Sequence, residues 1–336
     1  MPSLNNVISK LLNIRKNKFN SIHQLPNNPN IIIDATFNIG DYLAISPVIE
    51  ALKSQWNKPN ILVLCTSKNV DVVKTDKRIK YLLLPNKDKW HRYPSILRKN
   101  ITSKYHVDLL VEPAAPDLPH RSIIGYTLQP DLTIGNDYEK FRCVQPPKKK
   151  LDNYNISQPQ LYSDLMQGYG FKATEGKFNV FEELNNTLKI ERELEARSIG
   201  KYIAFNPFAS TKNRSLTIEK SKDILLHLTH CGLRCIFPLP FYIENKEEWT
   251  SKLAPLCDVF VVNTIHDSIG LIKNSVGIIT VDTALVHIAS VYDVPTIGLY
   301  REKVINCKNW HPQSSKNHIC LLTAPVEEIV KPEIFS

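Results

Sequence analysis

The stretch SVGIITVDTALVHIASVYDVPTIGLY, residues 275–300, contains the pattern that decides the fold. Val276–Thr280 is a short run of apolar and β-branched residues, which is typical of a buried parallel strand. Thr283–Tyr292 has its apolar residues at helical spacing, and Thr296–Tyr300 has the composition of another strand. A strand, a sharp loop, a helix and a second strand in this order predict an α/β fold with a parallel sheet.

The loop between the first of these strands and the helix is a candidate anion site. In α/β proteins ligands bind at the carboxyl ends of the strands. The start of a helix offers unpaired N–H groups and a partial positive charge, which suit a phosphate. Asp282 or Thr283 can cap this helix, and Thr283 and His287 lie one turn apart on a shared face. A histidine at this position is as often structural as ligand-binding, so both interpretations stay open.

Length and composition narrow the classes of protein. A chain of 336 residues exceeds a comfortable single core, which predicts two domains. No apolar run reaches the roughly 18 residues that a membrane span needs. Seven scattered cysteines with no CxxC pair predict a reduced, cytoplasmic protein without a zinc site or a disulfide framework. The net charge of +9 favours anionic partners, although a lysine-rich, AT-biased proteome would produce the same charge.

The N-terminal segment has the pattern of an amphipathic helix rather than of a secretion signal. Residues 3–18 carry leucine, isoleucine and valine at helical spacing, with basic residues on or beyond the other side. Such a helix can lie on a membrane surface. Packing against its own domain is the alternative that the sequence favours.

The chain after residue 29 predicts two alternations of strand and helix. In the first alternation one helix is predicted near Tyr42–Ser54. The predicted strands are Asn30–Asp34, Asn60–Cys65, Tyr81–Leu84 and Val107–Val111. Residues 112–160 are rich in proline and are predicted to be irregular. Helices follow at Gln160–Gly168 and Glu183–Ser198, before the second alternation begins at Tyr202–Asn206. The predicted organisation is a helix and linker at 1–29, a first domain at 30–178 and a second domain at 179–336, with a cleft between the domains.

Asp41 is the candidate catalytic residue of the first domain. It follows Gly40 where the first strand gives way to the first helix. A carboxylate at such a place can accept the proton of an incoming hydroxyl, which is worth roughly 10²–10⁴ in rate. Alternatively it only caps the helix. The loop is neither a dinucleotide fingerprint nor a Walker loop, because it contains no GxGxxG and no GK[ST].

The loop NPFASTKNRSL, residues 206–216, is the second candidate ligand site of the second domain. Ser210 and Thr211 offer hydroxyl groups, while Lys212 and Arg214 offer cations that suit a diphosphate. An ordinary basic surface loop is the alternative interpretation. Since the chain contains no DxD triplet and no Cys/His set at metal-ligand spacing, fixed cations and a helix start are expected to replace a metal ion.

A basic run with interleaved aromatic residues lies between two predicted strands of the first domain. NKDKWHRYPSILRKN, residues 86–100, includes Lys87, Lys89 and Arg92. These side chains predict a surface for an anionic acceptor, and a solvated loop and helix face is the alternative. No recognised nucleic-acid motif accompanies the charge, so a nucleic-acid partner is not expected.

Taken together, the motifs NIGD at 38–41, NPFAS…KNRSL at 206–216 and VDTALVHIA…VPTIGLY at 281–300 resemble glycosyltransferase family 9, the ADP-heptose:lipopolysaccharide heptosyltransferases. The resemblance extends from about residue 30 to residue 312. It implies a GT-B fold, in which two Rossmann-like domains face a central cleft. It further implies an inverting, metal-independent transfer from a nucleotide-sugar, ADP-heptose, to an anionic glycolipid acceptor of the lipopolysaccharide or lipooligosaccharide core.

The resemblance also implies roles for individual residues. Asp41 would be the general base, and the basic run would bind the acceptor. The donor-binding residues implied by the motifs, together with the neighbouring hydroxyl groups, are Ser210, Thr211, Lys212, Arg214, Glu244, Asp282, Thr283, Ala284 and His287. For the nucleoside contact, Glu247 is an alternative to Glu244.

Two departures from the family pattern keep other functions open. Ala284 stands where the family usually has glycine, and it adds a methyl group at the phosphate-facing turn. Asn213-Arg214-Ser215-Leu216 stands where a Lys/Arg-Trp pair is common. The alternatives are therefore transfer of another nucleotide-activated sugar onto a surface glycan, or a non-catalytic nucleotide-binding protein that has kept the fold.

Overall fold

The computed structural model describes residues 17–113, 119–136, 144–148, 156–301 and 305–335. The chain divides into two compact units, Met1–Lys177 and Phe178–Ser336. The helix predicted for residues 3–18 lies outside the described residues except for its last two positions. No helix in the described ranges is long and apolar enough to cross a membrane.

A parallel sheet forms the centre of the first unit. In the described part of this unit its strands are β1 (Asn30–Asp34), β2 (Asn60–Cys65), β3 (Lys80–Leu83), β4 (Leu109–Glu112) and β5 (Leu132–Gly135). Their spatial order is β3-β2-β1-β4-β5, and every pairing is parallel. Ile31–Ile33 in the central strand are fully buried, as expected for a strand that is covered on both faces. Because β1 and β4 are neighbours, their carboxyl ends, at Asp34 and Glu112, lie at one edge of the sheet.

The α-helices of the first unit within the described residues are α1 (Ile39–Ala44), α2 (Ser46–Gln55), α3 (Val70–Val73), α4 (Tyr93–Leu97), α5 (Pro119–Leu128) and α6 (Gln158–Gly168). The sequence predicted one helix near Tyr42–Ser54, and this was wrong, because α1 ends and α2 begins on either side of Ile45. Pro47 has no N–H group and its ring obstructs the preceding turn, so it fits only in the first turn of a new helix.

The prediction that residues 112–160 are irregular was also wrong, since α5 and β5 lie within this range. Proline misled the prediction because it stands at the start of α5, where a helix tolerates it. Ile124 and Leu128 of α5 are buried in the core cluster that contains Leu110 of β4. Tertiary packing therefore stabilises these elements in a segment whose local composition indicates a loop.

A second parallel sheet forms the centre of the second unit. In the described part of this unit its strands are β6 (Ile203–Asn206), β7 (Cys235–Pro240), β8 (Asp258–Val262), β9 (Gly277–Val281), β10 (Thr296–Tyr300) and β11 (Asn317–Leu321). Their spatial order is β11-β10-β9-β6-β7-β8. Asn206 at the end of β6 is in register with Thr280 near the end of β9. The loops that follow β6, β7 and β9 therefore begin at one edge of this sheet.

The α-helices of the second unit within the described residues are α7 (Leu184–Ala196), α8 (Ile218–His230), α9 (Lys246–Leu253), α10 (Ile265–Lys273), α11 (Ala284–Val291), α12 (Ile305–Trp310) and α13 (Val326–Ile329). Phe205, Phe237 and Ile279 of three adjacent strands are fully buried in a core cluster that also includes Leu225 of α8. The strand, loop, helix and strand predicted from residues 275–300 are present as β9, the turn at Asp282-Thr283, α11 and β10.

Candidate active site

Asp41 lies in the first turn of α1, one loop beyond the end of β1. Its Oδ2 accepts a hydrogen bond of 3.2 Å from the backbone N–H of Asn38, so the helix-start contact predicted for a capping residue is present. The side chain is half-buried. This burial raises the pKa of the Asp41 carboxyl from its usual 3.8, while the Asn38 N–H and the charge of Lys87 act in the opposite direction.

Three residues were predicted to bind the acceptor, namely Lys87, Lys89 and Arg92. In the described structure only Lys87 interacts electrostatically with Asp41. It begins a 3₁₀ helix, Lys87–Arg92, and is half-buried. Burial lowers the pKa of its ammonium group, and the charges of Asp34 and Asp41 partly offset this effect. Lys89 and Arg92 are exposed on the same 3₁₀ helix. Unlike Lys87, they do not line the cavity described next.

A polar cavity at the carboxyl edge of the first sheet was missed by the sequence analysis. Its cavity volume is about 10 Å³, which is room for about one water molecule, and it opens to solvent. Its polar lining side chains are Asp34, Thr36, Lys87, Glu112, His120 and Arg121. Asp34 and Glu112 each end a buried apolar strand, and a carboxylate in that position was a signal that could have identified this edge.

The loop after β6 has an ordered base and an exposed tip. At its base, the Asn206 side-chain amide donates to the Thr280 hydroxyl at 2.9 Å and to the Phe208 carbonyl at 3.0 Å, which links β6 to β9. At its tip, the predicted donor-binding residues Ser210, Thr211 and Lys212 are exposed. The Thr211 hydroxyl donates to the Asn213 side chain at 2.7 Å.

Arg214 and Asp282, both predicted to bind the donor, form an ion pair although they are 68 residues apart. Arg214 Nη2 donates to the Asp282 Oδ2 at 2.9 Å and to the Asp282 backbone carbonyl at 2.5 Å. Asp282 is half-buried, and burial raises the pKa of its carboxyl from 3.8, against the opposing effect of the Arg214 charge. The pair holds the loop after β6 against the turn after β9.

Thr283 caps α11, and Ala284 is the first residue of this helix. The Thr283 hydroxyl accepts from the Leu285 N–H at 3.3 Å and lies 3.4 Å from the Thr280 hydroxyl. Thr283 and Ala284 are both half-exposed. The helix start predicted as an anion site is therefore accessible, at the same sheet edge as Lys212 and Arg214.

His287 lies one turn further along α11 and is only 3% exposed. Its ring stacks on Phe178, with centroids 4.2 Å apart, and is 5.2 Å from the Trp310 ring. Its Nδ1 is buried with no hydrogen-bond partner in the described structure. Burial, with a smaller effect of His311, lowers the pKa of the imidazole from 6.5 to about 3, so the ring is neutral near pH 7.

Glu244 is exposed in the segment between β7 and α9, and Glu247 is exposed in the first turn of α9. Since β7 is the neighbour of β6, this segment begins at the same sheet edge as the Arg214–Asp282 pair. No contact within the described ranges ties the Glu244 side chain to the other predicted donor-binding residues.

One group of side chains in the described ranges could hold a metal ion, and it lies at the other edge of the first sheet from Asp41. His106, Asp108 and Asp131 have ligand atoms within 4.8 Å of one another. They precede β4 and β5 and so lie at the amino ends of these strands, opposite the edge where Asp41 lies. Lys18 forms an ion pair of 3.5 Å with Asp131 there.

Comparisons with known proteins agree with this architecture. The chain is 25% identical over 279 residues to the Escherichia coli (strain K12) protein named "Putative lipopolysaccharide heptosyltransferase 4". The aligned region covers 80% of this chain and 73% of that protein. The crystal structure of a family 9 glycosyl transferase from Veillonella parvula DSM 2008 superposes with a TM-score of 0.73 at 13% identity, over 94% of each chain. The structure of Escherichia coli ADP-heptose lps heptosyltransferase II superposes with a TM-score of 0.67 at 13% identity, over 91% of this chain and 98% of that one.

These structural likenesses confirm the predicted fold class, an α/β protein with two parallel sheets that matches GT-B heptosyltransferase structures. The family model of glycosyltransferase family 9 (heptosyltransferase) matches residues 160–334, which is just over half of the chain. The matched range contains the loop at 206–216, the Arg214–Asp282 pair and the capped start of α11. The chain therefore belongs to glycosyltransferase family 9, the heptosyltransferase family, and is a glycosyltransferase.

Proposed function

We propose that the protein transfers a heptose from ADP-heptose to an anionic sugar of a lipopolysaccharide or lipooligosaccharide core, with inversion and without a metal ion, at the cytoplasmic face of the inner membrane. The observation that carries the proposal is Asp41, a half-buried carboxylate of raised pKa beyond the carboxyl end of β1 in a chain of this family. The names of the relatives, which specify lipopolysaccharide and ADP-heptose, support the choice of substrates.

The first unit would supply the base. Asp41 accepts the proton of an acceptor hydroxyl, and the oxygen attacks the anomeric carbon from the face opposite the leaving ADP. A base works best when its pKa is not far below the working pH, and burial moves the Asp41 carboxyl in that direction. The anionic acceptor would be attracted by Lys87, Lys89 and Arg92. Of these three, Lys87 is the one whose charge interacts with Asp41 in the described structure.

The second unit would supply the donor site. Negative charge grows on the diphosphate as the glycosidic bond breaks, and the start of α11 at Thr283 and the cations Lys212 and Arg214 would stabilise it. Ser210 and Thr211 offer hydroxyl groups at the same loop, and Glu244 is available for the nucleoside. His287, which was predicted to bind the donor, would carry no charge near pH 7, because the pKa of its imidazole is about 3.

Replacement of the base tests the proposal most directly. Asp41→Asn should reduce transfer from ADP-heptose by at least about a hundredfold, because the amide cannot accept the proton. Affinity for ADP-heptose, measured by calorimetry, should be unchanged. Asp88→Asn is a matched control, because Asp88 is an exposed carboxylate of the neighbouring 3₁₀ helix. Near-normal turnover of Asp41→Asn would eliminate Asp41 as the base.

A second donor is favoured by one observation. Ala284 is half-exposed as the first residue of α11, so its methyl group lies where a diphosphate would meet the helix. The alternative is therefore transfer of another nucleotide-activated sugar onto a surface glycan. Transfer from a panel of ADP-, GDP- and UDP-sugars, compared between the natural protein and Ala284→Gly, decides between them. Preference for a UDP-sugar over ADP-heptose would contradict the first donor assignment.

A further inference from the structure

The helix that carries Asp41 is too short to hold its own position. α1 has only six residues, Ile39–Ala44, and isolated helices shorter than about 12–15 residues are marginal in water. It is also separated from α2, because Ile45 lies between the two helices. The position of the Asp41 carboxyl therefore depends on the tertiary contacts that its neighbours in α1 make.

Tyr42, the residue after Asp41, connects α1 to a buried carboxylate. Its side chain is buried, and its hydroxyl donates to Asp76 Oδ2 at 3.0 Å. Asp76 lies between α3 and β3, and its side chain is completely buried. Burial and the charge of Asp76 raise the pKa of the Tyr42 phenol well above its usual 10, so the hydroxyl keeps its hydrogen and remains a donor.

Arg78 holds the Asp76 carboxylate in a fixed direction. Its Nε donates to Asp76 Oδ1 at 3.0 Å, its Nη2 donates to Asp76 Oδ2 at 2.8 Å, and its backbone N–H donates to Oδ1 at 2.9 Å. The same guanidinium contacts α2, where Nη1 donates to Ser46 Oγ at 2.9 Å and to Glu50 Oε1 at 3.2 Å. Because a two-pronged pairing sets the orientation of a carboxylate as well as compensating its charge, the oxygen that Tyr42 meets has a fixed position.

We propose that Asp76 is a positioning residue for the general base, which acts through the Tyr42 hydroxyl to fix the rotation of α1 and hence the place of the Asp41 carboxyl. Arg78 orients Asp76 and connects it to α2 across the break between the helices. Misplacement of a reacting group by about 1 Å can cost roughly a hundredfold in rate, so one hydrogen bond at this point affects turnover. The proposal rests on the proposed function, because it assumes that Asp41 is the base.

Tyr42→Phe breaks the connection with the smallest change. It removes the hydroxyl and keeps the ring, and Asp76 keeps Arg78 as its ion-pair partner, so no buried charge is left unpaired. The variant is therefore expected to fold, with a melting temperature lower by about 2–4 °C for the lost hydrogen bond. We expect kcat for transfer to fall about tenfold or more, because the Asp41 carboxyl leaves the reactive position. Donor affinity, measured by calorimetry, should be unchanged.

The pH profile of kcat is a readout that a purely structural role would not move. Burial raises the pKa of the Asp41 carboxyl from its usual 3.8. When α1 is loosened, water reaches this carboxyl and its pKa falls toward 3.8. Since the base acts only when it is unprotonated, the acid limb of the profile should move to lower pH in Tyr42→Phe. Lys87 and Tyr162 of α6, whose ionisation is also coupled electrostatically to Asp41, are retained in this variant.

The pKa of the Asp41 carboxyl can also be measured without turnover. Carbon-13 NMR of protein with labelled aspartate carboxyls follows the titration, and the signal that disappears in Asp41→Asn is that of Asp41. The titration midpoint should be lower in Tyr42→Phe than in the natural protein. An unchanged midpoint together with an unchanged kcat would overturn the positioning role.

Tyr202→Phe is the matched control for the loss of one buried hydroxyl group. Tyr202 is 1% exposed, and its hydroxyl donates to the Leu271 carbonyl at 2.6 Å. It precedes β6 and so lies at the amino end of that strand, away from the loops proposed to bind the donor. This variant should lose a similar amount of thermal stability but keep the natural kcat and pH profile. A reduction of kcat as large as that in Tyr42→Phe would reduce the effect to general destabilisation and overturn the proposal.

Arg78→Lys tests the second step of the connection. Lysine keeps a cation beside Asp76, but as a point charge it does not fix the direction of the carboxylate. Its kcat and its Asp41 titration midpoint should lie between those of the natural protein and those of Tyr42→Phe. Natural values of both in Arg78→Lys would contradict the orienting role of Arg78.

Asp41→Asn separates failure of this proposal from failure of the proposed function. Loss of transfer in Asp41→Asn, together with natural kcat and pH profile in Tyr42→Phe, would contradict the positioning role alone. Near-normal transfer by Asp41→Asn would eliminate the base and, with it, the residue that Asp76 is proposed to position.

Discussion

The imidazole of His287 packs between Phe178 and Trp310, and its Nδ1 has no partner in the described structure. Protonation would place an unpaired charge in this apolar environment, which is why the pKa falls to about 3. In the unfolded chain the same group titrates near its usual 6.5. Between these two values the unfolded state binds more protons than the folded state, so folding stability rises with pH across this window.

His287→Asn should therefore lose less stability on acidification than the natural protein. The contribution of His287 is fully present above pH 6.5 and is lost as the pH falls toward 3, at about 1.4 kcal/mol per pH unit at most. Urea unfolding at pH 7.5 and pH 5 measures the difference. His230→Asn is the control, because His230 is exposed. An equal loss of unfolding free energy in His287→Asn and in the natural protein would contradict this account.

The local positions of the candidate site residues were partly predictable from the sequence. Asp41, Thr283 and Arg214 were singled out because a helix start, a capping residue and a basic loop have local signatures, and their roles in the reaction stay predictions. The contact between Arg214 and Asp282 was not predicted, because it depends on β6 and β9 being neighbours. His120 and Thr36 are 84 residues apart, and no local pattern indicates that a parallel sheet brings them together.

At the scale of elements, the sequence predicted strands better than the breaks between helices. Buried parallel strands appear as continuous apolar runs, so β1, β2 and β10 were predicted with the bounds that the structure has. The break between α1 and α2 was missed because helical periodicity continues across Ile45. β5 was missed because four residues are too few to show a pattern against surrounding proline.

The start of α10 offers a test at this scale. Asp267 is 1% exposed, and its Oδ2 accepts from the N–H groups of Asn263 and Thr264 at 2.8 and 3.0 Å. Its Oδ1 accepts from the Asn186 side chain at 2.8 Å, which joins α7 to α10. Asp267→Ala should lower the free energy of unfolding by about 2 kcal/mol, since it removes a helix cap and the three hydrogen bonds that the buried carboxylate accepts.

Urea unfolding at pH 7 measures this loss for Asp267→Ala. Asp223→Ala is the matched control, because Asp223 is an exposed carboxylate in the interior of α8, and it should change the free energy by less than about 0.5 kcal/mol. Equal free energies of unfolding for the two variants would contradict the stabilising role of the Asp267 carboxylate.

At the scale of the whole molecule, each unit has its own sheet and its own buried core. Tyr93, Leu97 and Leu110 belong to a core cluster of the first unit, and Phe205 and Phe237 belong to one of the second unit. All of the predicted donor-binding residues, from Ser210 to His287, lie in the second unit. A unit with its own core and its own candidate site is expected to fold and bind by itself.

Residues 178–336 expressed alone should therefore give a cooperative thermal transition and bind ADP. Circular dichroism and calorimetry measure these two properties. Arg214→Met in the same fragment is the control, because it should weaken ADP binding about tenfold while the transition persists. A fragment that folds but does not bind ADP would contradict the assignment of the donor site to this unit.

In the proposed donor site, the Arg214–Asp282 pair would make donor affinity depend on pH. If the diphosphate pairs with the Arg214 guanidinium, Asp282 loses the charge that opposes the effect of burial, and the pKa of its carboxyl rises further. Binding is then accompanied by uptake of a proton, so ADP should bind more tightly as the pH falls toward that pKa. Titration calorimetry in buffers of different ionisation enthalpy would detect the uptake, and Asp282→Asn should abolish it. In such a transferase the donor diphosphate would replace the internal counterion of Arg214, and the pH of the surrounding solution would influence how readily this replacement occurs.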